Sequence, residues 1–305
     1  MSRRHDLDHH RRSLNEIREV MNAMKTLAFM ETRKLAPIIE AQQAMVDNIE
    51  TVATDFLSFQ EHTLPEAETD ISVYLLIGTE RGFCGDINQS LLNQFETSLQ
   101  HIASSNAPQS DTSQTNSSRM IVVGHKLHLL LENDRRVNAF INGASLAEEV
   151  DIVLQKVVEE LVNLQSQFGA LSLYGIYHHG DDGIAMNRLL PPFQALKQKQ
   201  PPYRPYSHPP VLNLSPAKFL LELSDHYLFA ALNEMFYTSL MAENHRRVAQ
   251  LDGAVQHLDE ESEQLLRQSN ALRQEEITEE IEVILLSADS LTVNVKSGKT
   301  YKLPE

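Results

Sequence analysis

Apolar residues recur at alternating steps of three and four near the start of the chain: Leu14, Ile17, Met21, Met24, Ala28, Leu35, Ile38, Met45, Ile49, Val52 and Phe56. Glu31 and Gln42 are the polar interruptions of that run. Such a stripe belongs to a helix that pairs with another helix along a seam. It predicts a helix over residues 8–60, roughly 80 Å long at ~1.5 Å per residue. Pro37 removes one backbone donor and is the expected bend. Ahead of the stripe, the basic start carrying His5, His9 and His10 is expected to fray.

Around Pro65 the period changes. Ile71–Ile77 (ISVYLLI) reads as a buried strand, and Gly78–Asp86 as a loop into a helix with Leu91, Leu92, Phe95 and Leu99 on one face. Residues 103–119 are too polar to support a core and read as a surface loop. Met120–Val123 and Val137–Ile141 read as strands separated by a helix through Leu131, and Leu146–Phe168 as an amphipathic helix. Leu171–Tyr177 and Ile184–Leu190 form a last strand pair around the turn-rich HHGDDG. Strands alternating with helices imply a mostly parallel, Rossmann-like sheet. Prolines crowd residues 191–216, a stiff connector, and none occurs from there to about Ala288. That stretch is helical in pattern: Leu228, Leu232, Met235, Leu251, Val255, Leu258, Leu265, Leu272, Ile277, Ile281 and Ile284 keep helical spacing with shifts of register. Gly253 lies inside it at a cost of ~1 kcal/mol relative to Ala.

Two long amphipathic helices at the ends of one chain cover each other most simply. The expected fold is therefore α/β: a long antiparallel coiled coil of N- and C-terminal helices plus a mostly parallel sheet domain. Its divisions fall at residues 1–64, 65–210, 211–291 and 292–305, the last an extension with the strand-like run TVNVKSG-KTY.

Composition narrows the function classes. The net charge of −16 argues against nucleic acid as a partner. Charge is uneven: Arg3, Arg4, Arg11, Arg12 and Arg18 make the start basic, and Glu275, Glu276, Glu279, Glu280 and Glu282 make the last helix acidic. With Cys84 the single cysteine, no disulfide framework is expected and a reducing compartment suits the chain. Neither a secretory signal nor a membrane-spanning run is apparent, so any link to a membrane is expected to run through partners.

Candidate chemistry is sparse. The loop Gly78-Thr-Glu-Arg-Gly-Phe-Cys-Gly85 lies between a strand and a helix, where dinucleotide sites occur, but its glycine spacing matches neither phosphate-binding fingerprint and Glu80 would repel a phosphate. His178 and His179 are adjacent on a strand, point to opposite faces, and read as part of a surface turn and not as joint metal ligands. Cys84 has only Arg81 near it in sequence as an activating group. No cofactor, metal or catalytic residue is expected. A soluble scaffold with no catalytic partner, and a nucleotide-binding enzyme using the Gly78–Gly85 loop, are the rival readings.

Three segments resemble the gamma subunit of F-type ATP synthases. They are Val20–Ala28 (VMNAMKTLA), Leu75–Asn88 (LLIGTERGFCGDIN), and the C-terminal blocks Ser239–Arg247 (SLMAENHRR) and Asn270–Glu282 (NALRQEEITEEIE). The resemblance runs in order along the chain. It implies a central rotor inside a ring of alpha and beta subunits, with the sheet domain against the epsilon subunit and the membrane c-ring. It also implies a peripheral place on the cytoplasmic face of the cell membrane, with ATP chemistry on the beta subunits. By position Arg273, Gln274 and Thr278 correspond to residues facing a beta-subunit catch loop, and Met24, Lys25 and Arg247 to a lower contact region. The sequence departs from the family at Glu80, Phe83, Asp86 and Val283, and Thr292–Glu305 extends past the family's usual end. These departures suggest a divergent branch, specialised for another ion or for hydrolysis.

Overall fold

The computed structural model describes residues 2–60, 64, 71–105, 118–180, 183–194, 196, 208–209 and 211–296. Among them are helix α1 (Ser2–Phe59), strand β1 (Ser72–Ile77), α2 (Ile87–Ser105), β2 (Ser118–Val123), α3 (His125–Leu131) and β3 (Val137–Ile141). A 3-10 turn (Ala147–Glu149), α4 (Val150–Phe168), β4 (Ser172–His179), β5 (Gly183–Leu190) and α5 (Pro216–Lys296) follow. Contacts divide the chain into two compact units, Met1–Met24 with Leu251–Glu305, and Lys25–Gln250.

The second unit is built on a sheet in the order β3-β2-β1-β4-β5. The first four of these strands run parallel, and β5 is antiparallel to β4. Side chains alternate across the pleat. From β1, Val73, Leu75 and Ile77 enter one core, and Tyr74 and Leu76 the other. The first core is covered by Val150, Val153, Leu154, Val157, Leu161 and Leu164 of α4, Leu35 of α1, and Leu232, Met235, Phe236 and Leu240 of α5. The second is covered by Leu91 and Phe95 of α2 and Leu127 and Leu131 of α3. Helices on both faces bury the central strands β2, β1 and β4, as a parallel sheet requires, while the edge strands β3 and β5 are only partly covered. A smaller cluster joins Ala53, Phe56 and Leu57 of α1 to Leu220 of α5, with the Phe56 and Phe219 rings 4.9 Å apart.

The first unit is an antiparallel helix pair. Along the pairing line, the buried and half-buried positions on α1 include Arg4, Leu7, Arg11, Leu14, Arg18 and Met21, and those on α5 include Leu251, Val255, Leu258, Ser262, Leu265, Ser269, Leu272 and Glu276. Both sets alternate steps of three and four, the spacing of a coiled-coil seam. Contacts across it fix direction and register. Arg18 pairs with Asp259, the Ser262 hydroxyl donates to Asn15 Oδ1 at 3.4 Å, and the Ser269 hydroxyl donates to Asp8 Oδ1 at 3.1 Å. As the α1 number falls by seven from Asn15 to Asp8, the α5 number rises by seven, so the helices run opposite ways in a single register. Arg4 meets Glu276 at 3.4 Å near the end of the pairing.

Several sequence expectations are corrected. The seam uses Arg18, while Ile17 is 46% exposed, because an arginine stem covers apolar surface and keeps its charge at the edge. After Pro37 the buried positions include Val46 and Ala53, one residue beyond the expected Met45 and Val52, whereas Phe56 is buried as expected. A strict seven-residue step drifts by ~20° per heptad on a straight helix, which over several heptads displaces the stripe by about one residue. Helix α1 begins at Ser2 and includes His5, His9 and His10, so the expected frayed start is helical, and α1 passes Pro37 as one element. The helix foreseen from Leu146 opens with the 3-10 turn. Helix α5 continues past Ala288 to Lys296, so Thr292–Lys296 is helical and not a strand. Adding residues to an existing helix is easy once it is nucleated, and β-branched residues lower helix propensity only by tenths of a kcal/mol. Of the surface loop expected at 103–119, the start through Ser105 belongs to α2 and Ser118 onward to β2; residues 106–117, 297–305, Pro65, Asp181, Asp182 and most of the proline-rich connector lie outside the described residues.

Gly253 is exposed in α5, and a Cβ there would meet no atom within 4 Å. Gly253→Ala should therefore stabilise the chain by about 1 kcal/mol, read as a higher unfolding midpoint in thermal or urea denaturation.

Candidate functional site

The loop leaving β1 is held by its own side chains. The Asn88 side chain accepts from the Thr79 backbone N–H at 3.0 Å and donates to the Thr79 hydroxyl at 2.8 Å. Glu80 Oε2 accepts from the backbone N–H of His125 at 3.0 Å and of Gly143 at 2.7 Å. In a doubly wound sheet an incoming phosphate would meet backbone N–H groups at such a place. Here a carboxylate of the chain already takes two of them. Gly124, at φ 104°, makes the turn between β2 and α3 possible, since a Cβ there would stand 2.8 Å from the Gly78 carbonyl.

The far side of the same loop is fastened to α5. Arg247 and Glu243 form an ion pair one helical turn apart, with side chains only 7% and 5% exposed. The Arg247 guanidinium also donates to Asn244 Oδ1 at 2.9 Å and to the Gly82 carbonyl at 3.3 Å. Burial pushes the Glu243 carboxyl up, against the Arg247 charge and the backbone N–H groups of Arg81 and Glu80. The Cys84 thiol is buried beside this pair and pushed up to about 12, chiefly by burial and secondarily by the Glu243 charge. It is a packed thiol and not an activated nucleophile. Phe83, by contrast, is 51% exposed at φ 62°, a strained position for a bulky residue. The sequence marked it as a departure from the family but not as a left-handed position, because Phe carries no such signal.

His178 is in β4 and buried, not on a surface turn as expected. Its Nε2 lies 2.8 Å from the Ile87 carbonyl, so Nε2 carries the proton and donates. Burial lowers its pKa, and the neighbouring Arg246 charge adds to that. His179, next along the strand, is exposed, so the two histidines point apart. Among the described residues no group of three or more His, Cys, Asp or Glu is arranged to hold a metal ion. Asp47, Glu50 and Glu234 line a cavity of about 350 Å³ whose charge disfavours phosphate.

The residues expected to touch a partner fall in different settings. Arg273, Gln274 and Thr278 are exposed on α5, and the Thr278 hydroxyl donates to its own helix at Gln274 O, 2.9 Å. Met24 and Lys25 are half-buried on α1. Arg247 is interior, holding the loop. A long, charged side chain reads as exposed in sequence, so its burial left no signal. From Ile277 to Ser287 every α5 residue is exposed, including Ile277, Ile281, Val283, Ile284, Leu285 and Leu286. The expected apolar stripe thus continues where no facing helix covers it among the described residues.

Two outcomes follow from the buried groups. Arg247→Ala leaves the Glu243 carboxylate buried and unpaired and should cost about 3–5 kcal/mol in urea unfolding, most of it recovered in Glu243→Leu/Arg247→Met. The depressed His178 pKa makes its neutral form the folded one. Stability should therefore fall as pH drops below the ordinary histidine value of 6.5 towards its lower folded value. His178→Gln, whose amide can donate to the Ile87 carbonyl, should flatten that slope in urea midpoints compared between pH 7.5 and 5.

The family profile described as ATP synthase matches residues 4–291. The ATP synthase gamma chain of Clostridium botulinum (strain Langeland / NCTC 10281 / Type F) is 22% identical over 293 residues, covering 92% of this chain and 95% of that one. The gamma chain of strain Okra / Type B1 matches to the same extent. Among solved structures, a chain of the Euglena gracilis mitochondrial ATP synthase OSCP/F1/c-ring assembly superposes with a TM-score of 0.58 at 15% identity, covering 100% of this chain and 99% of that one. A chain of the Tetrahymena thermophila mitochondrial ATP synthase central stalk and c-ring gives 0.51 at 14% identity, over 77% and 99%. The loop signature, the helix pair and a match over nearly the whole length agree: this chain belongs to the ATP synthase gamma family.

Proposed function

We propose that this chain is the non-catalytic central rotor of an F-type ATP synthase, turned by ion flow through a membrane c-ring and driving ATP synthesis or hydrolysis on surrounding beta subunits. The observation that carries the reading is the stretch Ile277–Ser287, helical and wholly exposed, with large apolar side chains beside Glu279, Glu280 and Glu282. An uncovered surface of that kind needs a partner around it. Just before and within it, Arg273, Gln274 and Thr278 offer polar contacts of ~0–1 kcal/mol each, weak enough to form and break as a shaft turns. Met24 and Lys25 are assigned to a second contact with the beta subunit. Arg247 contributes to that zone indirectly, by fixing the loop that carries Phe83.

In this reading residues 1–64 and 211–291 are the arms of the shaft, 65–210 the domain that meets the epsilon subunit and c-ring, and 292–305 an extension. No described helix is long and apolar enough to cross a membrane, which fits a peripheral place on the cytoplasmic face of the cell membrane. The Glu80 carboxylate on the backbone donors of His125 and Gly143 supports a non-catalytic role over a nucleotide-binding one.

Co-purification with alpha and beta subunits tests the assignment, and recovery of the chain without them would favour a free scaffold. Within the complex, Arg273→Ala/Gln274→Ala/Thr278→Val should lower ATP hydrolysis about tenfold, equivalent to ~1.4 kcal/mol. Because all three side chains are exposed, the unfolding midpoint of the isolated chain should stay within about 0.5 kcal/mol of the parent.

A further inference from the structure

The basic seam positions of the helix pair are not equivalent. Arg4, Arg11 and Arg18 recur every seventh residue of α1, interleaved with Leu7, Leu14 and Met21. Arg4 has Glu276 and Arg18 has Asp259. Arg11 has neither. Its Nε is shut off from solvent with no acceptor, and no carboxylate of the described residues stands at ion-pair distance.

The facing helix explains the gap. Asn15 and Asp8, on either side of Arg11, contact Ser262 and Ser269, so Arg11 lies against the stretch between those serines. That stretch contains a single acid, Glu263, which is exposed and paired with Arg267 at 2.8 Å. A leucine at position 11 would continue the series of Leu7 and Leu14 and leave no polar atom unsatisfied. The stem of Arg11 covers the seam as that of Arg18 does, but its charged head has no carboxylate within the chain, a local departure of the kind expected at a functional contact.

We propose that Arg11 is a contact residue for an acidic side chain presented by a subunit of the catalytic ring. The inference rests on the rotor reading above, since it needs a protein wall around the helix pair. A single guanidinium edge suits one carboxylate. A free phosphate would need several converging donors, and the neighbouring Asp8 and Glu261 carboxylates disfavour a multiply charged ion. The contact site has the same chemistry as the pairs at Arg4 and Arg18, but its second half comes from another chain.

The test compares Arg11→Leu and Arg11→Lys in the full chain, isolated and reconstituted with alpha and beta subunits. The isolated Arg11→Leu chain should melt a few degrees higher than the parent, which also shows that it folds. In the complex its ATP hydrolysis should fall about tenfold. Carbodiimide treatment of the Arg11→Lys complex should join Lys at position 11 to an Asp or Glu of a ring subunit, a link located by peptide mass spectrometry and missing from Arg11→Leu. Full activity of the Arg11→Leu complex, with no link at position 11 in Arg11→Lys, would overturn the proposal. Failure of the parent chain to assemble with alpha and beta would instead overturn the rotor reading, and this inference with it.

Discussion

Cover along α5 falls away in stages, and most other features follow from that constraint. Between Ala230 and Asn244 nearly every side chain is buried against the sheet, α4 and α1. From Leu251 to Glu276 only a stripe is covered, by one facing helix, and from Ile277 to Ser287 nothing described covers it at all. One helix therefore meets three environments, and its sequence changes to suit each. It is largely apolar or internally hydrogen-bonded in the first, carries leucine at every seventh residue of the seam in the second, and in the third mixes large apolar residues with glutamates. A rotor has this need in its plainest form: one end firmly embedded, and another whose surface belongs to its surroundings.

Polar residues do most of the choosing where cover is thin. In the helix pair, the Arg18–Asp259, Asn15–Ser262, Asp8–Ser269 and Arg4–Glu276 contacts contribute little each, because they are at least partly exposed. Sliding the helices past one another would mismatch them together, so they select one register where leucine layers alone would tolerate several. The interior follows another rule. Glu243 and Arg247 are buried, and separating them would leave a charge with no compensation. The pair thus locks the Glu80–Gly82 backbone to α5 more by the penalty for breaking it than by the gain from forming it.

What was legible in the sequence tracks the simplicity of each surface. The strands were readable because Ile71–Ile77 and Met120–Val123 are continuous apolar runs that a sheet covered on both faces demands. The helix pair was readable as a pair, and with it the seam positions Leu14, Met21, Leu251, Val255, Leu258, Leu265 and Leu272, but not the arginines among them. With arginine at positions 4, 11 and 18, a search for apolar spacing settles on Ile17, while the aliphatic stem of Arg18 does the covering. Arg247 and His178 were misplaced for the same reason, since a polar residue reads as surface until its partner is known, and those partners are distant in sequence: Gly82 and Ile87. The strand-like run after Leu291 continues the helix through Lys296, because local propensity is weaker than the momentum of a helix already formed.

The Glu80 carboxylate has a wider meaning in a machine fuelled by a nucleotide. A βα loop of this kind is where many proteins of similar sheet order receive phosphate. By presenting its own anion to the His125 and Gly143 backbone donors, the chain keeps a fixed charge where such proteins would hold a phosphate. With those donors already satisfied from within, the loop reaches its final geometry without waiting for a ligand to complete it.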